Sequence, residues 1–475
     1  MPIRIPATAS RPSIVVILPR GEAIRNVVYS GTLDQLSAAA NLTALSVFPS
    51  EDIRRFMEQS CTVQPLRNVP ERYVVGALRE VLDMAHGRHL WSKAAQERWM
   101  VRDSEATTVA LKLKRAAKKA LCAPFASRHG VELLSVLERS ASRSLATADE
   151  LMTHYRQSRP SLVFNASHVH SPNAIQAVQA AQWLGIPTAA FIFSWDNLTT
   201  QGRIIPSYDH YLVWNDDIRR QLLRIYPRVR PEQVHVTGTP QFDFHFQREL
   251  YWSREQFCHH VHADPNRPVI LYSTGMSNHM PGEDRIVERI ADVVSSMTQF
   301  GPPQLLVRVY AKDRSGRFDA LIQRRKDILF PPVAWEPSFL TPKFEDLAVL
   351  TNTLRHCAAG INVASTISLE LAMMDKPVIN VGYDPPDIDI RPISFRRYYD
   401  FDHYKPIVQS GGVEVAYSEQ ELGVMLKNAI ENPARLSGHR LSLTRNFFGD
   451  TLDGNAAGRV ARILLELATT KSHGQ

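Results

Sequence analysis

Short apolar runs rich in β-branched residues alternate along this chain with longer amphipathic segments. Such runs are typical of buried parallel strands, and parallel strands that alternate with helices form doubly wound sheets. The pattern predicts strands at 14–18, 161–165, 186–193, 210–214, 233–237, 267–273, 304–310, 327–333, 360–363, 376–381 and 413–417.

The longer segments repeat their apolar residues every three to four positions, which predicts helices. The predicted helices cover 174–184, 217–226, 283–297, 344–357, 366–374, 419–432 and 454–467. The chain is therefore predicted to be an α/β protein with two Rossmann-like, doubly wound domains that face each other across a cleft.

Interruptions of this alternation predict the domain boundaries. Residues 1–247 form the first domain, in which residues 71–155 show helical periodicity with almost no strand signal and are predicted to be a helical insertion. Residues 248–266 are polar, contain no clear strand and are predicted to link the domains. The second domain is predicted at 267–445, followed by a C-terminal crossover helix within 446–475.

Composition narrows the class of protein and its partners. The chain has 475 residues, 44% apolar and 22% charged, which suits two or three folded domains and excludes a disordered chain. The formal net charge is +7, from 55 Lys and Arg against 48 Asp and Glu. This excess favours anionic ligands but is too small to indicate nucleic acid.

Two further features predict a cytoplasmic location. The apolar run at 14–18 is far too short to span a bilayer, and the chain start lacks the layout of a signal peptide. The four cysteines are scattered, without the spacing of a metal site or of a disulfide framework. A reducing compartment fits this cysteine usage best.

The most informative candidate site lies in the second domain. A predicted strand ends in a small-residue turn containing Ser365 and Thr366, directly before a predicted helix. The unpaired N–H groups and positive dipole end of a helix bind anions such as a diphosphate. Glu370, one helical turn later, could accept hydrogen bonds from ribose hydroxyls. Alternatively, Ser365 or Thr366 is an ordinary N-cap and Glu370 is solvated.

Other residues of this domain follow predicted strands. Thr274 and Gly275 could bring backbone N–H groups close to a ligand, although an ordinary turn explains one glycine equally well. Arg308 and Lys312 could offset phosphate charge, or could be surface cations. Trp335 could stack on a base or pack at the sheet edge.

Two polar segments of the first domain also follow strands and are predicted to lie at one cleft edge. His168 or Asp196 could act as a general base toward an acceptor hydroxyl. Asp196 is the preferred candidate, because Trp195 and Asn197 flank it in a shielded turn, but Asp and Asn are also common turn residues. A metal site at His168 and His170 is not favoured, because no third ligand has matching spacing. The candidate acceptor-side residues are Gly21, Asn165, His170, Trp195 and Asn197.

The predicted insertion carries a concentration of positive charge. Between Arg88 and Arg128 there are ten Lys and Arg against three Asp and Glu. Within 107–121, one helical face carries Val109, Leu113, Ala116, Ala117, Ala120 and Leu121, and the opposite side carries Lys112, Arg115, Lys118 and Lys119. This pattern fits either a helix packed on its own domain with a solvated basic face, or an interfacial helix on anionic lipid. No aromatic residues interleave these cations, so nucleic acid is not favoured.

Several motifs together resemble those of one group of bacterial enzymes. They are Phe-Ser-Trp-Asp-Asn at 193–197, Tyr-Leu-Val-Trp-Asn at 211–215, Val-Thr-Gly-Thr-Pro-Gln-Phe-Asp at 236–243, Pro-Gly-Glu at 281–283, the turn at 365–370, and Asp-Gly at 453–454. With these motifs the chain resembles GT-B-fold proteins, in particular CDP-glycerol glycerophosphotransferases, surface-polysaccharide glycosyltransferases and non-hydrolysing UDP-N-acetylglucosamine 2-epimerases.

The resemblance implies a nucleotide bound by the second domain and an acceptor bound by the first. The nucleotide and its phosphates would contact Thr274, Gly275, Arg308, Ser365, Thr366 and Glu370, with Trp335 and Glu336 near the base. The turn reads Val-Ala-Ser-Thr at 363–366, where glycerophosphotransferases usually carry Asp-Tyr-Ser-Ser. This departure favours a sugar nucleotide over a CDP-alditol.

The implied function is a glycosyltransferase that moves a sugar from a nucleoside diphosphate to a surface-polysaccharide or lipid-linked glycan acceptor. Asp196, or failing it His168, would deprotonate the acceptor, while Arg308 and the helix start at Ser365 and Thr366 stabilise the leaving diphosphate. We find no metal-ligand cluster such as Asp-x-Asp in a suitable turn, and so expect no cofactor and no divalent cation. The alternatives are a UDP-sugar 2-epimerase, a CDP-alditol phosphotransferase and a non-catalytic GT-B partner protein.

Overall fold

The chain folds into two compact units, each built around its own sheet. The computed structural model describes residues 11–47, 50–145, 148–169, 172–298, 301–336, 341–391 and 393–470. Unit 1 consists of the chain up to Asp243, the single residue Thr341 and the chain from Thr451 onward. Unit 2 consists of Phe244–Glu336 and Pro342–Asp450.

The sheet of unit 1 has seven strands in the order β3-β2-β1-β4-β5-β6-β7, and all neighbouring pairs are parallel. The strands are β1 (Ser13–Leu18), β2 (Asn41–Ser46), β3 (Thr62–Pro65), β4 (Leu162–Asn165), β5 (Thr188–Phe191), β6 (His210–Val213) and β7 (Val234–Val236). The strand order reverses between β1 and β4, as in a Rossmann fold.

Helices connect these strands. They are α1 (Thr32–Ser37), α2 (Glu51–Glu58), α8 (Pro172–Trp183), α9 (Asn197–Thr200), α10 (Asp216–Ile225) and, from the end of the chain, α19 (Ala456–Thr469). A π-helical segment, Ile24–Tyr29, precedes α1. The buried face of α19 packs on α1 and β4, which makes the C-terminal helix part of unit 1.

The predicted helical insertion is confirmed. Between β3 and β4 the described residues form helices and no strand. Apart from a three-residue 3-10 turn, the helices are α3 (Tyr73–Leu90), α4 (Lys93–Ser104), α5 (Val109–Cys122), α6 (Arg128–Ser144) and α7 (Asp149–Ser158). Helices α3 and α6 pack together over a small core that includes Leu82, Ala85 and Leu134.

Unit 2 repeats the Rossmann pattern with six parallel strands in the order β10-β9-β8-β13-β14-β15. They are β8 (Val269–Ser273), β9 (Gln304–Arg308), β10 (Ile328–Leu329), β13 (Ala359–Asn362), β14 (Val378–Val381) and β15 (Glu414–Ala416). Two two-residue strands, β11 (Trp335–Glu336) and β12 (Thr341–Pro342), lie outside this sheet.

The helices of unit 2 cover its sheet and enclose an apolar core that includes Ile270, Ile286 and Ile361. They are α11 (Arg254–Val261), α12 (Glu283–Ser295), α13 (Asp319–Arg324), α14 (Phe344–His356), α15 (Ile367–Met373), α16 (Lys405–Gln409), α17 (Glu419–Glu431) and α18 (Ser437–Phe448). The alternation of strands and helices therefore agrees with the predicted fold class.

Several elements of the described chain differ from the expectations. Strands β2 and β3 were not predicted, and the predicted strand at 327–333 is only two residues long. Residues 248–266, predicted to be a link, contain α11, which packs on α14 within unit 2. No helix in the described part of the chain is long and apolar enough to cross a membrane. The four cysteines, all described, are free thiols.

Candidate functional site

The strand ends that carry the predicted nucleotide residues lie side by side in unit 2. Ser273, the last residue of β8, pairs with Arg308 of β9 and with Asn362 of β13, and Asn362 pairs with Asn380 of β14. The strand order reverses between β8 and β13, and ligands of open α/β sheets bind at such reversals. The structure thus brings the turns after β8, β9 and β13 to one sheet edge.

The turn after β13 has a constrained backbone. Ala364 adopts φ of +39°, a left-handed conformation that costs a non-glycine residue about 1–3 kcal/mol. The Tyr399 hydroxyl donates to the Val381 carbonyl at 2.6 Å and also hydrogen-bonds the Ala364 backbone. The Ser365 N–H donates to Asn362 Oδ1 at 3.1 Å. The turn is therefore held from both sides.

A buried polar network supports this turn from below. Asn362 Oδ1 accepts hydrogen bonds from Ser368 Oγ at 3.0 Å and from Asn380 Nδ2 at 3.2 Å. The Tyr404 hydroxyl hydrogen-bonds Asn380 Oδ1 at 2.6 Å and Ser368 Oγ at 2.9 Å. Asn362 Nδ2, in contrast, has no partner among the described residues although the side chain is fully buried. The network fixes the turn and leaves one amide donor unsatisfied.

Ser365 and Thr366, predicted to meet a diphosphate, lie half-buried at this turn. Thr366 occupies the N-cap of α15, but its side chain makes no capping hydrogen bond. The alternative interpretation, in which one of these hydroxyls caps the helix, is therefore wrong for Thr366. The helix itself has only seven residues.

Glu370 is buried and already has a partner within unit 2. Its Oε1 lies 3.2 Å from Nε2 of His245, whose Nδ1 lies 3.1 Å from Thr351 Oγ1. The alternative that Glu370 is solvated is wrong, because the residue is only 5% exposed. His245 was not predicted as a site residue, because its only signal in the sequence is its position two residues after the motif at 236–243. His245 orients the carboxylate predicted to contact ribose.

The turn after β8 is occupied by a side chain of its own unit. The Gly275 N–H, predicted to approach a ligand, donates to both carboxylate oxygens of Glu283 at 3.1 and 3.0 Å. Arg317 Nη2 donates to the same carboxylate at 2.7 Å. Burial raises the pKa of Glu283 to about 7, although Arg317, the Gly275 N–H and Tyr272 each lower it. Thr274 Oγ1 accepts from the Tyr310 N–H at 2.8 Å. The expected backbone cradle is thus filled by Glu283.

Arg308 forms an ion pair within its own unit. Its guanidinium pairs with Asp346 at 2.5 Å, and the two side chains are only 11% and 2% exposed. The alternative that Arg308 is a surface cation is therefore wrong, while the phosphate contact stays a prediction. The pair offsets the charge of Arg308 inside the unit. Lys312 lies half-buried four residues further along the chain.

Trp335 has features of both interpretations considered for it. It packs edge-to-face against Tyr310, with ring centroids 6.0 Å apart. Its indole Nε1 is buried and has no acceptor among the described residues. Trp335 and Glu336 are both half-buried. A flat aromatic surface with an unsatisfied donor near the β9 end is compatible with base recognition.

In unit 1, the residues after β4 are mostly used in local hydrogen bonds. Asn165 Nδ2 donates to the Tyr208 hydroxyl at 2.8 Å, and its Oδ1 accepts from the Ser167 N–H at 3.2 Å. His168 Nδ1 lies 3.2 Å from the Phe191 carbonyl. Because a carbonyl only accepts, Nδ1 carries the proton and Nε2 is the basic nitrogen. His170 lies outside the described residues.

Asp196 begins α9 and is partly used by that helix. Its Oδ2 accepts from Thr200 Oγ1 at 3.0 Å, and its carbonyl accepts from Thr199 Oγ1 at 3.1 Å. Asn197 Oδ1 accepts from the Ser194 N–H at 2.8 Å, and Trp195 is buried. These contacts are those of an ordinary turn, one of the two alternatives predicted for this segment.

Gly21, the acceptor-side residue after β1, lies in a buried turn. Its carbonyl accepts from the Ile24 N–H at 3.0 Å, where the π-helical segment begins. Among the described residues, no three His, Cys, Asp or Glu side chains are grouped as metal ligands. The sequence does contain Asp-x-Asp at 387–389, but Asp389 is exposed and pairs with Arg391 at 2.7 Å.

The motif at 236–243 has a structural role in unit 1. The Asp243 carboxylate accepts the N–H groups of Ala456 at 3.1 Å and Ala457 at 2.7 Å, and so caps α19. Burial raises the pKa of Asp243 to about 6, against the lowering effect of those two N–H groups. Gly238 has φ of +78°, and a Cβ there would lie 3.0 Å from the Thr451 carbonyl oxygen. The motif had served only as a point of resemblance, with no predicted structural role for these residues.

Helix α5 packs against the insertion with its basic side and exposes its apolar side, which is the reverse of the predicted packed helix. Val109 and Leu113 of the predicted packing face are 73% and 66% exposed. Arg115 and Lys119 of the basic face instead contact Asp103 at 2.9 and 2.5 Å and lie over the Trp99 ring. The prediction of a packed apolar face with a solvated basic face is therefore wrong. The basic side chains pack inward because their aliphatic stems and charged ends both find partners.

Comparison with known proteins identifies the fold. The sequence matches no family model and no curated protein. Among solved structures, it is similar to S. aureus MnaA solved with UDP, at 14% identity and a TM-score of 0.54, over 96% of this chain and 97% of that one. A UDP-GlcNAc 2-epimerase from Neisseria meningitidis bound to UDP-GlcNAc gives 12% identity and 0.54, over 96% and 99%. A glycosyltransferase from Rickettsia africae gives 10% and 0.53, over 97% and 100%. The chain thus has the GT-B fold, as predicted.

Proposed function

We propose that this GT-B-fold protein is a nucleotide-sugar-dependent glycosyltransferase that uses a uridine diphosphate sugar as its donor. The observation that carries the proposal is the fold likeness over almost the whole chain to proteins solved with UDP or UDP-GlcNAc. One of the similar structures is itself described as a glycosyltransferase. The acceptor in this proposal is a surface-polysaccharide or lipid-linked glycan.

The donor is proposed to bind at the β8–β13 edge of unit 2. The turn at Ser365 and Thr366 is held by Asn362 and Tyr399, so the backbone at the start of α15 keeps one conformation in which to meet a diphosphate. Glu370, oriented by His245, is proposed to accept hydrogen bonds from the ribose. Trp335 offers a ring face and a buried donor for the base. Arg308 is proposed only to stiffen this edge, because Asp346 offsets its charge.

A general base for the acceptor hydroxyl is proposed in unit 1. His168 is the better candidate, because its Nδ1 is engaged by the Phe191 carbonyl and its basic nitrogen is Nε2. Asp196 is the second candidate, because its Oδ2 already accepts from Thr200. The proposed reaction is direct displacement at the anomeric carbon: the acceptor oxygen forms the new bond, the C–O bond to the diphosphate breaks, and the base takes the hydroxyl proton.

Nucleotide binding tests the donor half of the proposal. UDP, GDP, CDP, ADP and dTDP are titrated into the full chain while its thermal unfolding is followed. We expect UDP to raise the unfolding temperature, since a ligand at 100 times its dissociation constant adds about 2.7 kcal/mol to stability. Glu370→Gln should weaken UDP binding at least tenfold, whereas Glu431→Gln, an exposed glutamate in the same unit, should not. No shift with any of the five diphosphates would overturn the proposal.

A UDP-sugar 2-epimerase is the alternative, favoured by the several similar structures described as UDP-GlcNAc 2-epimerases. The two functions differ in their need for an acceptor. Incubation of the protein with UDP-GlcNAc alone should leave the sugar configuration unchanged if the protein is a transferase. Formation of the 2-epimer without an acceptor would replace the proposal with the alternative. We further propose that no divalent cation is needed, so that a chelator leaves turnover unchanged.

We also propose that the insertion holds the protein against an anionic membrane surface. Most of the large apolar side chains exposed in the described residues belong to the insertion. On α5, Val109, Leu113 and Leu121 are all at least 60% exposed and share one face, which extends about 18 Å along the helix. Lys112 and Lys114 are exposed beside it. An exposed apolar stripe beside cations is typical of interfacial helices.

Vesicle co-sedimentation tests this surface. We expect binding to vesicles containing phosphatidylglycerol, at about 1 kcal/mol for each basic residue near the surface, and much weaker binding to neutral vesicles. Leu113→Gln with Leu121→Gln should reduce sedimentation severalfold. Val424→Ser with Leu441→Gln, which change equally exposed apolar residues of unit 2, should not. Equal binding to neutral vesicles, or no effect of the α5 changes, would contradict the proposal.

A further inference from the structure

Unit 1 contains a cavity that the proposed reaction does not use. It has a volume of about 210 Å³ and lies where α6 of the insertion meets the segments that precede β6 and β7. Tyr208 and Gln233 of its wall stand just before those two strands, at their amino ends. The candidate residues Asp196 and His168 follow the carboxyl ends of strands and are not part of this wall.

The wall carries four arginines and two glutamates. Glu132 binds two of the arginines, Arg203 and Arg228, at 2.7 Å each. Glu138 pairs from outside the wall with Arg79, whose Nε lies 2.7 Å from it and whose guanidinium also pairs with Glu71. Arg139 is exposed at the cavity, and Arg230 contacts only the exposed Glu232 among the described ion pairs. The wall therefore keeps an excess of positive charge after its internal pairs are formed.

The same wall has oriented hydroxyl groups and flat apolar surfaces. The Tyr226 hydroxyl accepts the Ile204 N–H at 3.0 Å, and the Tyr211 hydroxyl accepts the Tyr208 N–H at 2.9 Å. Each hydroxyl keeps its own proton to donate. Burial raises the pKa of these phenols far above neutrality, so they stay protonated. Apolar side chains such as Leu82 and Val229 complete the wall.

Cations, hydroxyl donors and aromatic rings in one small cavity match the chemistry of a sugar phosphate. A phosphate satisfies the arginines, because guanidinium groups bind its oxygens in pairs. Sugar hydroxyls take up the tyrosine protons, and the C–H face of the ring lies on aromatic carbon. The volume is below the roughly 300 Å³ at which sites for larger ligands begin, which excludes a whole nucleotide sugar.

We infer that this cavity binds a phosphorylated monosaccharide at a site separate from the proposed donor site. The insertion creates the site, because Glu132 and Arg139 come from α6 while Arg203, Tyr208 and Arg230 come from the Rossmann body. The bound group is either a free sugar phosphate or the phosphorylated end of a longer glycan, and both present the same chemistry to the wall.

Calorimetric titration of the full chain with glucose 1-phosphate tests the inference. We expect saturable binding, at least tenfold tighter than that of inorganic phosphate or of glucose. Arg139→Gln with Arg230→Gln should weaken it at least tenfold, while the unfolding temperature stays unchanged because both side chains are exposed. Arg143→Gln and Arg224→Gln, exposed arginines outside the wall, should bind as the parent chain does. Glucose 6-phosphate and methyl glucoside 6-phosphate, whose anomeric carbon is blocked by a glycosidic bond, are then compared. Equal affinity indicates the phosphorylated end of a glycan, and a lower affinity of the glycoside indicates a free sugar phosphate.

Three results of this titration would overturn the inference, and a fourth comes from competition with UDP. The three are no binding of glucose 1-phosphate, binding that the double variant leaves unchanged, and inorganic phosphate binding as tightly as the sugar phosphate. Saturating UDP is added in a parallel titration. If UDP displaces glucose 1-phosphate, the ligand occupies a donor site instead, and the inference fails while the proposed function stands. If UDP does not bind but glucose 1-phosphate does, the proposed function fails and this inference stands.

Discussion

Single charged residues at the unit 2 sheet edge show why a strand-end cation is a weak indicator of a ligand site. Arg308 pairs with Asp346, and Arg317 pairs with Glu283. In both pairs the carboxylate is almost fully buried. A buried carboxylate needs a partner whether or not a ligand exists, because desolvating an unpaired charge is costly. These cations therefore compensate buried carboxylates of unit 2, and their position alone does not indicate a ligand site.

Arg308→Met should lower the free energy of unfolding by about 3–5 kcal/mol, because it leaves Asp346 buried without its partner. Adding Asp346→Asn should recover part of that loss. Urea unfolding followed by tryptophan fluorescence measures both changes. A variant with unchanged stability and weakened UDP binding would instead support the phosphate role predicted from the sequence.

Asp243 gives a prediction about pH. Its pKa in the folded chain is about 6, above its ordinary value of 3.8, so the folded state holds the proton more tightly than the unfolded state. This contribution to stability is complete below about pH 4 and is lost as pH rises through about 6. Relative to Asp243→Asn, the parent chain should lose up to about 3 kcal/mol between pH 4 and pH 7. Thermal unfolding at four pH values measures the difference.

The control for this experiment is Asp217→Asn, an exposed aspartate on α10. Its stability difference from the parent should stay constant across the same range. A constant difference for Asp243→Asn as well would mean that burial does not raise the pKa of this carboxylate in the folded chain.

At the scale of elements, α5 shows how amphipathic periodicity predicts a helix without predicting its buried face. The period of apolar residues correctly located the helix. The face was inverted, because Arg115, Lys118 and Lys119 find Asp103, Glu80 and Trp99 within the insertion. Long basic side chains cover apolar surface with their stems while their ends pair, so hydropathy alone misjudges them.

This orientation predicts opposite stability effects for neighbouring residues of α5. Leu113→Gln should change the free energy of unfolding by less than about 0.5 kcal/mol, because the side chain is already exposed. Arg115→Ala should cost about 1 kcal/mol through the lost ion pair and ring contact. Thermal unfolding compares the two. A larger loss for Leu113→Gln would restore the packed-face interpretation.

At the scale of the whole molecule, unit 1 is built from both ends of the chain. Strand β1 comes from the start, and α19 from the last described residues. Asp243 and Arg459 join the terminal segment to the motif at 236–243: Asp243 caps α19, and Arg459 Nε donates to the Thr237 carbonyl at 2.7 Å. The C-terminal helix is therefore a structural part of unit 1 and packs on its Rossmann sheet.

Deletion of residues 451–475 should make the backbone amides of unit 1 exchange hydrogen faster, while those of unit 2 stay protected. The deletion uncovers α1 and β4 and removes the buried side chains of Val460 and Leu464. Hydrogen exchange should become faster in peptides covering β1 and β4 and stay slow in those covering β8 and β13. Uniform exchange across both units, or no change in unit 1, would contradict this assignment.

Hydrophobic periodicity alone was enough to predict the fold class, the two Rossmann-like sheets and the helical insertion. These features depend on local periodicity, and apolar runs such as Ile14–Leu18 or Ala359–Asn362 carry that periodicity within a few residues. Strands β2 and β3 were not predicted, because near the edge of the sheet their apolar residues are interspersed with polar ones. The turns that follow β8, β9 and β13 were also located correctly as one sheet edge.

The hydrogen-bond and ion-pair partners of individual side chains could be seen only in the folded structure. Glu283 fills the turn at Gly275, Asp346 neutralises Arg308, and His245 orients Glu370, although each partner lies from eight to 125 residues away. The cavity of unit 1 likewise needs α6 beside the segments that precede β6 and β7. The physical reason is that charge pairing and burial depend on distances in space, which the order of residues along the chain does not contain.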